Sequence, residues 1–594
     1  MNLPNPVHFR VYVDGAPLEI QRALRHERQL DMRRAVLKRR TIFCDRKGKR
    51  YLYSSERFIS LADESLGVMR VGIKPLDGEA TVRVESALDT GVANASRTGR
   101  DPVRHYRVIR VETKRDGLGR VIVRTLDRGV KIVHTSRMYP GNVEDRRSSV
   151  VHRWEGKVGR GITLTFRKVF RVSKGGDGTL PRPTERFFDS AFEEHAEKWG
   201  KRWLEADVRL SGNPEDQRAL RFCIFHLLIA GSERYEWSIP AKTLSGEGYG
   251  GHIFWDAEIY MLPFFAHTLP RIARNMLMYR YRRLQPAREK ARALGYRGAL
   301  FPWESADTGE EVTPRYLMDR RGKRVRVYTH EREHHIAGDV AYAVGRYYTI
   351  TGDDDFMLKY GAEMVFEVAR FWESRVVFDS ETGLFEIKNV IGPNEFQTGV
   401  DNNSYTNHLA RWCLLYAREL RQRLSQEYPR EMKRLEKRMG IGDREFERFE
   451  EIASRMKFLQ REDGLIEQFE GYFGLEDAMV GDVDGKVSLP RPEELEESHT
   501  QLTKQADVAL LLTLFPEDFS EEVKIKNFEY YERRCTHRSS LSPPVFGLLA
   551  ARIGRTEKAY RYFRLASNAD LEDYYGNTGD GIHGAMIGLS LIHI

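Results

Sequence analysis

The chain has little of what marks several large protein classes. Cysteine is scarce: four in 594 residues, at Cys44, Cys223, Cys413 and Cys535, with no CxxC pair. That spacing argues against a disulfide framework and a cysteine-built zinc site, and it fits a reducing compartment. No metal and no cofactor are expected. Apolar runs are short, none approaching the ~20 residues that cross a bilayer. The opening MNLPNPVHFRVYVDG lacks the charged-then-apolar pattern of a leader. A cytoplasmic protein without a membrane partner is the expectation. Blocks of one charge sign are missing too. The 96 Lys and Arg are interspersed with 87 Asp and Glu, for a net charge of +9. Such a surface is charge-laced and solvated, with no basic tract for nucleic acid, although an anionic small substrate suits it. Low-complexity segments and short internal repeats are absent.

What is present is core-forming. Hydrophobic residues make up 41% of the chain and aromatics 11%, which excludes disorder. The length far exceeds the roughly 150 residues typical of one domain, so two or more are expected. Residues 1–175 alternate apolar and polar: Phe9 to Val13, Val121 to Thr125, Val130 to Val133 and Ile162 to Phe166. Asp14-Gly15 supplies a hairpin turn. Many short strands with turn signals between them predict a large antiparallel β-sandwich. The stretch GGDGTLPRP, 175–183, ends it. A linker follows over 176–208, with an amphipathic helix at 187–206.

From 209 to 594 the period is helical. Helices are predicted at about 216–230, 271–294, 336–350, 354–375, 403–425, 443–459, 502–515, 541–553 and 556–567. Gly352 ends one helix, Asp353 caps the next and Pro516 stops another. Leu409, Trp412, Cys413, Tyr416 and Leu420 share one helix face, and the run 508–514 is apolar all round. About a dozen helices joined by long irregular loops suggest a closed double ring. Long loops in a compact domain usually carry function.

Those loops hold unusual clusters. GEGYGGH (246–252) leads into Ile253-Phe254-Trp255-Asp256. An indole stacks on the C–H face of a sugar, and a carboxylate accepts its hydroxyls. A buried Trp beside a helix-capping Asp is the structural alternative. Trp303-Glu304 repeats the pairing. Glu395 follows a Gly-Pro turn in IGPNEF (391–396). Lys504-Gln505 stands at a predicted helix start. CTHRSSLS (535–542) gathers hydroxyls, a cation and the free amides of a helix N-terminus, an anion cradle. His583 follows a Gly-rich turn. Ser539 and Ser540 could equally be caps, His583 a core histidine, and Glu304 and Glu395 surface acids. Their gathering on the loops of one helical region points to a site.

These motifs resemble glycoside hydrolase family 65, the maltose, kojibiose, nigerose and trehalose phosphorylases. The matching stretches are GHIFWDAEIYMLPFF, GALFPWESADTGEEVTP, HHIAGDVAYAVGRYY, VIGPNEFQTGVDNNSYTN, QLTKQADV, THRSSLSP and DLEDYYGNTGDGIHGA. NLPNP, LDMRRAVL and SSERFISLAD carry a looser resemblance through the β region. The resemblance implies a multidomain β + α protein: an N-terminal antiparallel β super-sandwich, a helical linker and an (α/α)6 barrel catalytic domain. Family members carry strands before NLPNP and a C-terminal β domain. The sandwich is therefore expected to lack its first strands and the C-terminal β domain to be missing. The tail LSLIHI is the translation of a transposase-type sequencing adapter, and is expected to be a library artefact on a truncated fragment.

The resemblance also implies roles. Glu395 is the expected general acid. Trp255, Asp256, Trp303, Glu304, Lys504 and Gln505 are the expected glucose pocket. Ser539, Ser540 and His583 are the expected phosphate ligands. The implied reaction is inverting phosphorolysis of a kojibiose- or maltose-like α-glucosyl disaccharide, with inorganic phosphate as co-substrate. Its products are β-D-glucose 1-phosphate and a free sugar. Hydrolytic inversion needs a second carboxylate to activate water. Phosphate is already an anionic nucleophile, and THRSSLS contains Arg538 and no acid. A hydrolase of the same family would need Glu532, Glu572, Asp573 or Asp580 as base. A catalytically silent glycan-binding fragment is the third possibility. Residues 315–335 are expected to shape the acceptor side, and a homodimer is implied by the family.

Overall fold

The computed structural model describes residues 2–95, 102–146, 148–176, 178–318, 322–480 and 499–592. Residues 319–321 of the expected acceptor segment and 593–594 of the expected artefact lie outside them. The chain divides into two compact units, Met1–Glu205 and Ala206–Ile594.

The first unit is a sandwich of two antiparallel sheets. The five-stranded sheet runs Asn142–Arg146, Ser149–Val158, Ala80–Asp89, Asn5–Val13 and Ala16–Pro17 from edge to edge. The eight-stranded sheet runs Ala23–Asp31, Val36–Cys44, Arg50–Ile59, Leu66–Pro75, Leu164–Lys174, Lys131–Tyr139, Gly119–Thr125 and Tyr106–Thr113. Asp14 and Gly15 join paired Val13 and Ala16 with φ of 46° and 85°. Both are left-handed, as the tight hairpin turn requires. Alternation places Ala80, Val82 and Val84 inward against Tyr51, Val71, Ile73 and Phe166 of the other sheet. The edge strand Ala23–Asp31 is charged and exposed along most of its length, which discourages further pairing.

Polar rungs also cross this interior. Ser136 Oγ and His152 Nε2 lie 2.8 Å apart, and Lys168 Nζ donates to Ser86 Oγ at 2.8 Å and the Ala87 carbonyl at 3.1 Å. His134 is fully buried beside them. Within the expected linker, the helix Glu185–Ala206 packs Phe188 and Ala191 around Phe58, Leu66 and Val68. Trp203 Nε1 donates to the Met32 carbonyl at 3.0 Å.

The second unit is helical. Its first helix, Pro214–Ala230, is capped by Asn213 and packs on Thr556–Asn568 and Gly584–Ile592. Tyr560 Oη donates to Asp216 at 2.6 Å across that contact. The first and last helices of the unit therefore meet. Gly352, at φ 64°, ends His335–Thr351, and Asp353 caps the next helix through Phe356 N. Pro516 follows the end of Val508–Leu514, in which residues 508–513 are buried. In Ser404–Glu427, Leu409, Cys413 and Leu420 are buried while Trp412 stacks on Tyr416 at 4.7 Å.

Three expectations need correction. The 271–294 helix is two, Pro270–Tyr281 and Leu284–Ala293. Arg283, between them, donates to the carbonyls of Tyr279 and Asp307. Helices Pro429–Met439 and Glu521–Glu532 stand where none was expected. Lys504-Gln505 does not start a helix. Thr503 is committed to a parallel bridge with Cys535, so the helix begins only at Val508.

Candidate functional site

Two loops are stitched by a reciprocal backbone pair: Ile253 N donates to Ser305 O at 2.8 Å and Ser305 N to Ile253 O at 2.9 Å. This sets Trp255-Asp256 beside Trp303-Glu304. The indoles lie 6.3 Å apart, and His335 packs 4.8 Å from one and 5.6 Å from the other. His335 is oriented by Asp339 at 2.7 Å, which also accepts from Tyr405 Oη at 2.6 Å. Trp255 is only 1% exposed, so its indole backs the wall of the site rather than offering an open stacking face. Glu304 pairs with His252 at 2.8 Å. Glu311, 2.6 Å from Lys290, accepts from the backbone N–H of Trp303 at 2.8 Å and Glu304 at 3.2 Å. Burial pushes the Glu311 carboxyl up, but Lys290 and these donors outweigh it and hold it below its ordinary value.

Asp256 opens a turn of π-helix, Asp256–Met261, a form common at functional positions. Burial pushes its carboxyl up to about 7, with the charges of Glu258 and Glu395 adding and Lys504 opposing. Below it, Glu258 and Arg280 form a fully buried two-pronged pair with both contacts at 2.8 Å.

Glu395 faces Lys504 Nζ at 2.8 Å and Gln505 Nε2 at 3.3 Å, so the structure joins three of the expected residues directly. Burial pulls the Lys504 ammonium down, but Glu395 outweighs it and holds it above its ordinary value. The loop is fixed from behind. Asn394 N donates to Asp507 at 3.2 Å, Asn394 Oδ1 accepts from Lys504 N at 2.9 Å, and Asn403 Nδ2 donates to Asp507 at 3.1 Å. Burial raises Asp507 to about 7, with these donors opposing. Gly392 is required here, because a Cβ would stand 2.4 Å from the Asn403 side chain.

The expected phosphate loop is tied to the same strand of backbone. Thr503 N donates to Arg534 O and Thr536 N to Thr503 O, each at 2.8 Å. Ser539 Oγ accepts from Leu541 N at 3.3 Å just before the helix Ser542–Arg552, and Tyr575 Oη donates to Ser539 O at 3.4 Å. The Tyr575 ring lies 5.4 Å from His583. His583 Nδ1 lies 2.7 Å from Asp570, and its Nε2 lies 2.7 Å from Lys242 Nζ. Asp570, Asp507 and Glu311 lie inside the matching stretches but were not singled out, and Lys242 lies outside them. Clefts of about 410 Å³ around Asp216 and Tyr560 and about 750 Å³ around Arg137 and Glu185 contain none of the expected residues. Chemistry, not volume, singles out the site.

A β-sandwich followed by a helical domain, whose loops gather two Trp–acid pairs around one loop carboxylate, is the build of a carbohydrate-active enzyme. The chain belongs to glycosyl hydrolase family 65: residues 1–202 match its N-terminal domain and residues 221–592 its central catalytic domain. A kojibiose phosphorylase of Caldanaerobacter subterraneus subsp. tengcongensis is 37% identical over 99% of this chain and 80% of its own length. An α,α-trehalose phosphorylase of Thermoanaerobacter brockii is 31% identical over 99% of this chain and 78% of its own. A solved structure provisionally described as a kojibiose phosphorylase from the human microbiome shares the fold. Its TM-score is 0.86 at 24% identity, over 100% of this chain and 78% of that one.

Proposed function

We propose that the chain is an inverting disaccharide phosphorylase acting on kojibiose, the α-1,2-linked glucobiose. Glu395 protonates the glycosidic oxygen. Asp256, Glu304, Lys504 and Gln505 hold the transferred glucosyl unit, with Trp255 and Trp303 behind them. Phosphate enters at the 536–542 loop and attacks from the opposite face, giving β-D-glucose 1-phosphate and glucose. The carrying observation is the joining of one loop carboxylate, through the Thr503–Cys535 bridge, to a loop with hydroxyls and amides but no acid. The alternative hydrolytic bases fit poorly. Glu532 is engaged by Lys558 and Tyr562, while Glu572, Asp573 and Asp580 are exposed. The kojibiose phosphorylases among the relatives support the linkage. The meeting of the first and last helices supports reading the helical unit as an (α/α)6 barrel.

The test is product analysis on α-1,1, α-1,2, α-1,3 and α-1,4 glucobioses with and without inorganic phosphate. Glucose 1-phosphate formed only with phosphate, and fastest from the α-1,2 disaccharide, is expected. Equal sugar release in both conditions overturns phosphorolysis, and preference for another disaccharide overturns the linkage.

A further inference from the structure

Lys242 is buried, at 3% exposure, ahead of the GEGYGGH approach. Its ammonium stands 2.7 Å from His583 Nε2 and 3.4 Å from both the carbonyl and the side-chain oxygen of Asn577. Among the described residues no carboxylate oxygen lies within the 4.0 Å of an ion pair; Asp570, Asp573 and Asp580 act on it from farther away. An ammonium can only donate, so His583 Nε2 accepts and Nδ1 carries the ring proton toward Asp570. Asp570 is itself buried and takes the His583 backbone N–H at 2.9 Å on its other oxygen. Burial pushes Asp570 up, but His583 and the Lys242 charge outweigh it and hold it below the carboxylate range. The result is a fixed chain, Asp570 to His583 to Lys242, ending in a cation with no anionic partner among the described residues.

A buried cation is costly unless it is paired. Its position suggests the partner. A Cβ on Gly246 would stand 2.3 Å from the Asp580 carbonyl, so the loop leading to Trp255-Asp256 runs directly against the turn that carries His583. Tyr575 joins His583 to Ser539, and among the described residues the Ser540 hydroxyl has no protein partner. Lys242 thus stands where the glucose loop meets the expected phosphate loop. Both nitrogens of His583 are already engaged.

We propose that Lys242 is the cation that binds the phosphate nucleophile, and that His583 is its positioning residue rather than a direct phosphate ligand. This rests on the phosphorylase reading and adds to it a residue and a division of roles.

The test uses the full chain with Lys242→Met, Lys242→Arg and His583→Gln, and Glu395→Gln as a binding control. Thermal shift with inorganic phosphate reports binding without turnover. Steady-state kinetics separate the KM for phosphate from that for the disaccharide. Lys242→Met is expected to lose the phosphate-induced shift and raise the KM for phosphate at least ~tenfold, as loss of a charge-assisted contact does. Its KM for the disaccharide should stay within about twofold. Lys242→Arg should recover most of the phosphate affinity, and Glu395→Gln should keep the shift. His583→Gln should weaken phosphate binding less than Lys242→Met does. A Lys242→Met protein that melts cooperatively and binds phosphate like the parent overturns the proposal. So does a His583→Gln protein more impaired in phosphate binding than Lys242→Met. If the parent chain itself shows no phosphate-induced shift, the phosphorylase reading falls along with the proposal.

Discussion

Glu395 sits between Lys504 and Gln505 at 2.8 and 3.3 Å. A positioned general acid contributes roughly 10²–10⁴ in rate. Glu395→Gln keeps the size and an acceptor oxygen but removes the transferable proton. Its kcat on the disaccharide should fall by about 10³, with a much smaller loss on α-D-glucosyl fluoride, whose leaving group needs no proton. Equal losses on both substrates would assign Glu395 to binding instead. Asp256 makes a second residue-scale prediction. Its buried carboxyl titrates near 7 against 3.8 when unperturbed. The folded state therefore holds this proton more tightly than the unfolded chain, and stability is lost as pH rises from about 4 to 7. Asp256→Asn should remove a penalty of at most about 4 kcal/mol. In urea unfolding, its stability relative to the parent should grow across that window, and a constant difference refutes the assignment. Glu395, Lys504 and Gln505 were readable because each sits in a local motif. Lys242 was not, because its partner His583 lies 341 positions away.

At the scale of elements, the acid is positioned by a helix start. Asn403 caps Ser404–Glu427 by accepting from Thr406 N at 2.9 Å while holding Asp507, and Gly392 packs against that same side chain. Gly392→Ala should push Asn403 aside and disturb the cap and the acid loop together. A loss of about 10–100-fold in kcat is expected, since small misplacements of a catalytic group carry such costs. Gly474→Ala, where a Cβ meets nothing within 4 Å, should be silent in the same assay. If both variants behave alike, the packing against Asn403 does not position the acid. The caps at Gly352 and Asp353 were legible because chain direction changes there through local chemistry. Pro429–Met439 was legible but passed over: Pro429 opens it and Met432, Leu435 and Met439 recur at helical spacing, but only Met432 and Leu435 are buried, so its apolar stripe is narrow. The non-helical stretch before Val508 was hidden because a distant loop, not local propensity, claims Thr503.

Across the whole molecule, the change from alternating to helical period and the Gly/Pro break separated β-rich from helical sequence, and the loop motifs carried the family. The polar interior of the sandwich gave no such sign. Its rungs join residues of opposite sheets, which no local pattern reports: Ser86 to Lys168, 82 positions apart, and Ser136 to His152, 16 apart. That interior makes the first unit acid-sensitive. Burial lowers His134 to about 4, and burial with the Lys168 charge lowers His152 to about 3, against 6.5 when unperturbed. Below about 6.5 the unfolded chain takes up protons that the folded sandwich refuses until pH reaches those lower values. Stability is therefore present at neutral pH and drains away as pH falls through that window, by at most about 3 kcal/mol per histidine at pH 4. Lys168, lowered by burial to about 7 from 10.5, acts in the same direction at alkaline pH, so the sandwich should gain stability between about 7 and 10. Hydrogen exchange localised to Lys131–Tyr139 and Ser149–Val158 should show protection rising from pH 4.5 to 6.5, after correction for intrinsic exchange. His152→Gln should flatten part of that slope. Protection that is level across the range in the parent chain would mean that both histidines accept protons without opening the sheets, and that the buried rungs are not neutral.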